Sequence, residues 1–188
     1  MSSTVTRSRI VEVADRLFYQ HGYLHTSFAD IAAAVGLSRG NFYYHFKSKD
    51  AILDAVLESR VDATRRTLRD WETSNDSPAD RIMRFVEIVV TNGADIRRHG
   101  CPVGTLTTEL AKLDHALHDR ARELFTLFRT WLRDQFVLLG HAGQADELAM
   151  HVLTFSQGVA VLSNAFRDEA YVSREVDRMR DWLSTYTR

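Results

Sequence analysis

The chain has 188 residues, 45% of them hydrophobic and 26% charged, with a net charge of −1, so it is globular material long enough for one large domain or for a small head and a body. Its single cysteine excludes an intramolecular disulfide framework, no apolar run approaches the roughly 18 residues of a membrane span, and the opening MSSTVTRSR lacks a signal peptide's apolar core; a cytoplasmic protein with no membrane partner is expected. Residues 1–50 carry six Lys/Arg against four Asp/Glu, a net of +2, whereas residues 51–188 carry 18 against 21, so the excess of cations lies at the N-terminal end. Two prolines and nine glycines favour long helices over many turns.

Residues 7–22 form the first predicted helix, with Ile10, Val11, Ala14, Leu17 and Phe18 as its apolar stripe and Gly22 as its stop. Arg7 and Arg9 suit either a DNA backbone or a solvated terminus. A second, short helix opens on Ser27 as N-cap, carries Phe28, Ile31, Ala32 and Val35 on one face, and ends at Gly36. The chain restarts at once on Ser38, another N-cap, and so short a turn makes the two helices cross steeply. That is helix-turn-helix geometry, in which the second helix enters the major groove of DNA. On it, Phe42 and Phe46 point back into the head with Leu37, leaving Arg39, Gly40, Asn41, Tyr43, Tyr44 and His45 around the remainder. Arg39 suits guanine and Asn41 adenine, each through two hydrogen bonds, and Gly40 lets the backbone approach a duplex. Tyr43, Tyr44, His45, Lys47 and Lys49 suit phosphates, which fix register and carry little sequence information. A half-buried Tyr-Tyr-His packing face beside solvated lysines is the competing reading; the agreement of turn, caps and polar row favours DNA.

The run Thr26-Ser27-Phe28-Ala29-Asp30-Ile31-Ala32, then Val35-Gly36-Leu37-Ser38, then Asn41-Phe42-Tyr43-Tyr44-His45-Phe46-Lys47-Ser48-Lys49-Asp50 resembles the N-terminal domain of TetR-type transcriptional repressors almost position for position. The resemblance implies an all-α homodimer with an N-terminal three-helix helix-turn-helix domain and a C-terminal helical bundle for ligand binding and dimerisation. It implies repression from a double-stranded DNA operator, released when a small-molecule effector enters the bundle. DNA contacts are implied at Thr26 and Ser27, at Arg39, Gly40, Asn41, Tyr43, Tyr44 and His45, and at Lys49 on phosphate. Asn41 stands where the family has a small or polar residue, which leaves base preference open. The expected division is residues 1–50 for DNA binding and 51–188 for effector binding and dimerisation, with no enzymatic activity and no cofactor.

After the head, Ser48 caps a long predicted helix to about Trp71, a rod of some 36 Å at about 1.5 Å per residue. Residues 73–78 are a loop by composition, and Pro78 suits the first turn of a helix over 78–99. Cys101-Pro102 forces a bend. A short helix follows to Leu113, Asp114 is read as the cap of the next, 115–139, and the last two helices cover about 145–169 and 173–187. In the first of these, Leu148, Val152, Phe155, Val159, Leu162 and Phe166 form one apolar row, and Met150, Val161 and Ala165 extend a second. A helix apolar on two sides needs two partners, so a homodimer interface is expected at Phe155, Gly158, Val161, Leu162, Ala165, Leu183 and Tyr186, with Val176 and Met179 completing four helices. A monomer with a thicker core is the alternative.

Within the body, Gly100-Cys101-Pro102-Val103-Gly104, followed by Leu106 and Glu109-Leu110, resembles a stretch that borders the effector pocket in one set of TetR-type regulators. Cys101 is accordingly either a pocket-lining residue or a thiol sensor of oxidants or electrophiles, activated by the helix start near Gly104 or by Arg97 and Arg98. The aromatic set at helical spacing places a tentative hydrophobic or aromatic effector among Cys101, Phe125, Phe128, Trp131, Phe155 and Val159, with His151, Ser156, Gln157 or Asn164 as polar groups. His115 and His118 share a helical face without further ligands in view, so no metal site is expected; HExxH, a Gly-rich phosphate loop and GxSxG do not occur.

Overall fold

The computed structural model describes residues 3–187, with the side chain of Arg39 outside the described residues. These residues form helices throughout: α1 (Ser3–His21), α2 (Phe28–Val35), α3 (Arg39–His45), α4 (Lys49–Thr73), α5 (Pro78–Val86), α6 (Ile88–Thr91), α7 (Gly93–His99), α8 (Pro102–Lys112), α9 (His118–Leu138), α10 (Ala145–Phe166) and α11 (Glu169–Ser184). None is long and apolar enough to cross a membrane. The chain divides into two compact units, Met1–Ala63 with Thr105–Leu124 and Thr64–Gly104 with Phe125–Arg188.

In the first unit, α1 buries Ile10, Val11, Val13, Ala14 and Phe18, which meet Ile31 and Val35 of α2 and Phe42 of α3. Each such aliphatic or aromatic side chain taken out of water contributes roughly 1.5–3 kcal/mol. Ile52, Leu53, Ala55, Val56 and Leu57 of α4 and Leu106, Leu110 and Ala121 from the 105–124 segment complete the same core. The packing boundary therefore does not fall at residue 50: the three head helices bury their apolar faces only together with the start of α4 and with α8.

The second unit encloses Ile82, Phe85, Val86, Val89, Ile96, Trp131, Leu132, Phe136, Val152, Val159, Val176, Met179 and Leu183. Pro78 opens α5 behind the N-cap Ser77, whose hydroxyl accepts from the Asp80 N–H while the Asp80 carboxylate accepts from the Ser77 N–H. The helix predicted over 78–99 is interrupted at Glu87 and Asn92. Four consecutive β-branched residues, Ile88-Val89-Val90-Thr91, followed by Asn92-Gly93, lower helix propensity there.

Asp114 is not the cap of α9. It takes a left-handed conformation, φ 48°, while the Asp114 N–H donates to the Ala111 carbonyl and the His115 N–H to the Leu110 carbonyl, 3.2 and 3.0 Å. This is a Schellman ending of α8, with aspartate where glycine is commoner. Likewise α10 stops at Phe166 because Arg167 turns left-handed, and Asp168 at once caps α11 by accepting from the Tyr171 N–H at 3.1 Å. The last helix therefore starts four residues before its predicted position.

Candidate nucleic-acid interface

Three local devices set the head. Ser27 caps α2: its hydroxyl accepts from the Asp30 N–H at 3.1 Å, and the Asp30 carboxylate accepts from the Ser27 N–H at 2.8 Å and from its hydroxyl at 2.6 Å. The Ser27 hydroxyl and backbone together hold the Asp30 carboxyl below the usual carboxylate range. Gly36 ends α2 at φ 72°, its N–H and that of Leu37 closing on Ala33 and Ala32, and Ser38 then opens α3 by accepting from the Asn41 N–H at 3.4 Å. Phe42 and Phe46 are buried, and Phe28 packs on Phe42 and Tyr43 with ring centroids 4.6 and 4.8 Å apart.

These anchors leave Gly40, Asn41, Tyr43 and Tyr44 exposed on α3, Tyr44 to 71%, with His45 half-buried edge-on to Tyr44. A Cβ on Gly40 would meet nothing within 4 Å, so this chain's own packing does not require a glycine there. The Arg39 side chain, the expected guanine reader, lies outside the described residues. Ser27 is exposed at the start of α2.

Two expected contacts are otherwise engaged. Thr26 is only 2% exposed, and its hydroxyl donates to the Gly22 carbonyl at 2.7 Å, so it locks the α1–α2 turn and is turned away from solvent. The Lys49 ammonium donates to the Tyr23 carbonyl at 2.9 Å and lies 4.0 Å from the centre of the Tyr23 ring. Lys47 donates to the Tyr43 carbonyl at 2.7 Å, beside the end of α3, and the Arg7 guanidinium lies over the Phe46 ring at 4.9 Å.

Around Tyr23 the structure assembles residues that the sequence marked for other roles: Asp50 in the family motif, His115 beside His118, and Glu109 in the stretch after Cys101. The Glu109 carboxylate accepts from the Tyr23 and Leu24 N–H groups, both at 2.9 Å, and the Tyr23 hydroxyl donates to Asp50 and lies 3.2 Å from His115 Nε2. Burial first, then the Asp50 carboxylate, push the Tyr23 phenol far above its ordinary pKa. Glu109 and Tyr23 stand 86 positions apart, a separation that no periodicity announces.

Two sequence profiles match the chain: that of bacterial regulatory proteins of the tetR family over residues 10–56, and that of the C-terminal domain of LmrA/YxaF-like transcriptional regulators over residues 78–175, more than half of the chain. The chain belongs to the TetR family of transcriptional regulators. An HTH-type transcriptional regulator in the lacX 3' region of Lactococcus lactis is 31% identical over 123 residues, 64% of this chain and 63% of that protein. The repressor DhaR of Mycobacterium sp. strain GP1 is 28% identical over 134 residues, 71% of this chain and 65% of DhaR. The chain thus spans under two thirds of either relative. A TetR regulator structure from Legionella pneumophila superposes with a TM-score of 0.83 at 23% identity, covering 100% of this chain and 99% of that one, a likeness of fold.

In the second unit of this TetR-family chain, the six residues expected around an effector fall in one cluster. Trp131 and Val159 are buried in it, and Cys101, Phe125, Phe128 and Phe155 pack against it half-buried. Trp71 lies 5.6 Å from Trp131 and Phe85 5.1 Å from Phe128, centroid to centroid, while the buried Trp131 indole N–H finds no acceptor among the described residues. Of the polar candidates, Asn164 donates to the Arg97 carbonyl at 3.0 Å, Ser156 is buried, Gln157 lies beside Gly104, and His151 is exposed against Trp182. Cys101 Sγ sits 3.4 Å from the Gly104 N–H at the start of α8.

The exposed apolar face of α10 is made by Met150, Val161 at 63%, Leu162 and Phe166 at 74%, with Gly158 and Ala165 between them and Phe155 half-buried at its edge. Leu183, Val176 and Met179 are corrections: at 2%, 4% and 4% exposure they lie inside the second unit's own core and are not available to a partner. The apolar stripe of α11, Val172-Val176-Met179-Leu183, is spent on that core, and the outer face carries Arg174, Asp177, Arg178, Arg180 and Asp181. Tyr186, half-buried, packs against Trp182 and His141, which lies 2.8 Å from its carbonyl.

Proposed function

We propose that this chain is a ligand-responsive repressor that binds a palindromic operator as a homodimer and is released by a small hydrophobic or aromatic effector. The observation that carries the DNA part is the exposed row Gly40-Asn41-Tyr43-Tyr44 on a helix whose apolar side is fully used by the head. Asn41 and Arg39 read base edges; Ser27, Tyr43, Tyr44, His45 and Lys47 fix register on phosphates. Lys49 reaches phosphate by exchanging its Tyr23 carbonyl for the DNA backbone, and Thr26 supports the turn. Residues 1–50 carry the reading and residues 51–188 the effector and dimer functions.

A second copy is supported by the apolar face of α10, with Gly158 open to a close helix approach. Two recognition helices then stand about 34 Å apart, one turn of DNA, and a ligand that changes that spacing lowers affinity. The cluster around Phe125, Phe128, Trp131 and Phe155 suits an apolar ligand with one acceptor atom, met by the Trp131 indole N–H. The Gly104 N–H beside Cys101 Sγ favours one further reading, release by oxidation or electrophile modification of that thiol.

The test is binding of the purified chain to DNA flanking its own gene across a salt series, alone, with a panel of apolar compounds, and with peroxide. Salt-dependent, specific binding relieved by a compound supports the effector reading. Relief by peroxide that Cys101→Ser abolishes supports the thiol reading, and absence of specific binding at every salt contradicts the assignment.

A further inference from the structure

We propose that Glu109 of α8 is a positioning residue for the DNA-reading head, fixing the α1–α2 turn from which two of its DNA-contact residues are placed. The inference rests on the DNA-binding reading above. It starts from Tyr23, whose polar groups are all held. Its N–H donates to Glu109 Oε2 at 2.9 Å, and its carbonyl accepts from Lys49 at 2.9 Å. Its hydroxyl donates to Asp50. The Leu117 N–H donates to His115 Nδ1 at 3.1 Å, which makes Nδ1 the acceptor and leaves Nε2–H, 3.2 Å away, to donate to the same hydroxyl.

The Glu109 carboxylate bridges two consecutive N–H groups, one oxygen to Tyr23 and the other to Leu24, also at 2.9 Å. Charge-assisted pairs of this kind fix direction as well as contact. Glu109 is itself anchored, because Leu106 and Leu110 on the same helix are buried in the first unit's core. The approach is close: a Cβ on Gly22, already at φ 85°, would lie 3.1 Å from Glu109 Oε1.

Local stability alone does not call for this arrangement, since the Leu24 N–H lies at an exposed position where water serves as acceptor. What the carboxylate adds is placement. Three residues after Leu24 comes Ser27, the exposed first residue of the α2 cap, and the carbonyl of the clamped Tyr23 receives Lys49. One side chain, from a segment 85 positions along the chain, thereby sets where the free head presents Ser27 and where it holds Lys49 before that ammonium exchanges onto phosphate.

The experiment uses the full chain. Wild type, Glu109→Gln and Glu109→Leu are each measured on the duplex that the wild type enriches from a randomised pool and on a scrambled duplex of equal length, at one salt concentration. Amide spectra follow the Tyr23 and Leu24 N–H groups. Because Ser27 and Lys49 are placed on phosphates, the expected result is a loss of affinity on the order of tenfold for Glu109→Leu and a smaller loss for the isosteric Glu109→Gln, alike on both duplexes, with the melting temperature held. The two amides shift in both variants. Should Glu109→Leu not fold, Glu109→Gln decides. Unchanged affinity for both duplexes despite shifted amides overturns the proposal, as does a loss of affinity that tracks a fall in melting temperature, the mark of a merely structural group. If the wild type enriches no sequence, the DNA-reading assignment fails and the inference with it.

Discussion

Two helices of this protein, α3 in the first unit and α10 in the second, each keep one face out of their unit's core, and the two faces differ in chemistry. On α3 the open face is Gly40, Asn41, Tyr43 and Tyr44, which offers hydrogen-bonding groups and rings; on α10 it is Met150, Val161, Leu162, Ala165 and Phe166, whose side chains form no hydrogen bonds. The first suits base edges and phosphates, the second an identical apolar face. They share one feature. Each carries a glycine, Gly40 and Gly158, at which a Cβ would touch nothing within 4 Å. A glycine inside a helix costs about 1 kcal/mol against alanine, so neither residue is required by the packing of the free chain, and on the proposed function each leaves room for a second surface.

The largest expected effect breaks the apolar face. Val161→Glu buries a charge between the two copies, so sedimentation gives a monomer and specific affinity falls on the order of a thousandfold, the low end of the gap between specific and non-specific binding. Breaking the polar face costs less. Asn41→Ala lowers affinity for the selected duplex by about 1–3 kcal/mol and relaxes preference at one base pair in a binding-site selection. Tyr44→Ala weakens all sequences alike.

The glycines sharpen the comparison. Gly40→Ala raises the stability of the free chain by roughly 0.5–1 kcal/mol in thermal unfolding while weakening DNA binding. Gly158→Ala gives the same rise in stability with weaker self-association. The smallest effect is at the cap. Because the Asp30 carboxyl is held below its ordinary range, its contribution is present above that range and fades as pH falls through the lowered value. The melting-temperature difference between wild type and Asp30→Asn is therefore widest near neutrality and closes below about pH 4.

How much of this was legible in the sequence depended on range. Ser27, Gly36, Ser38 and Pro78 act within four residues of themselves, and all four stand where local chemistry places them. The stripes of α1 and α2 were readable because burial on one helical face repeats every turn. Leu183 was not, since periodicity shows that a face is apolar without telling a core from an interface. Thr26 and Lys49 escaped for another reason: a family's contact positions describe the bound state, whereas in the free chain their polar groups hold the α1–α2 turn. Asp114 was misplaced because aspartate serves both as N-cap and as a left-handed terminator. The Glu109, His115 and Asp50 grip on Tyr23 joins distant positions and left no local signal.

The central claim, a symmetric pair of reading heads, is tested most directly by selecting DNA from a randomised pool with the full chain and weighing the resulting complex. The account predicts an enriched palindrome whose half-sites lie one helical turn, about 34–36 Å, or a multiple of it, apart, bound by an even number of copies. An asymmetric site bound by one copy, or no enrichment at all, would contradict it.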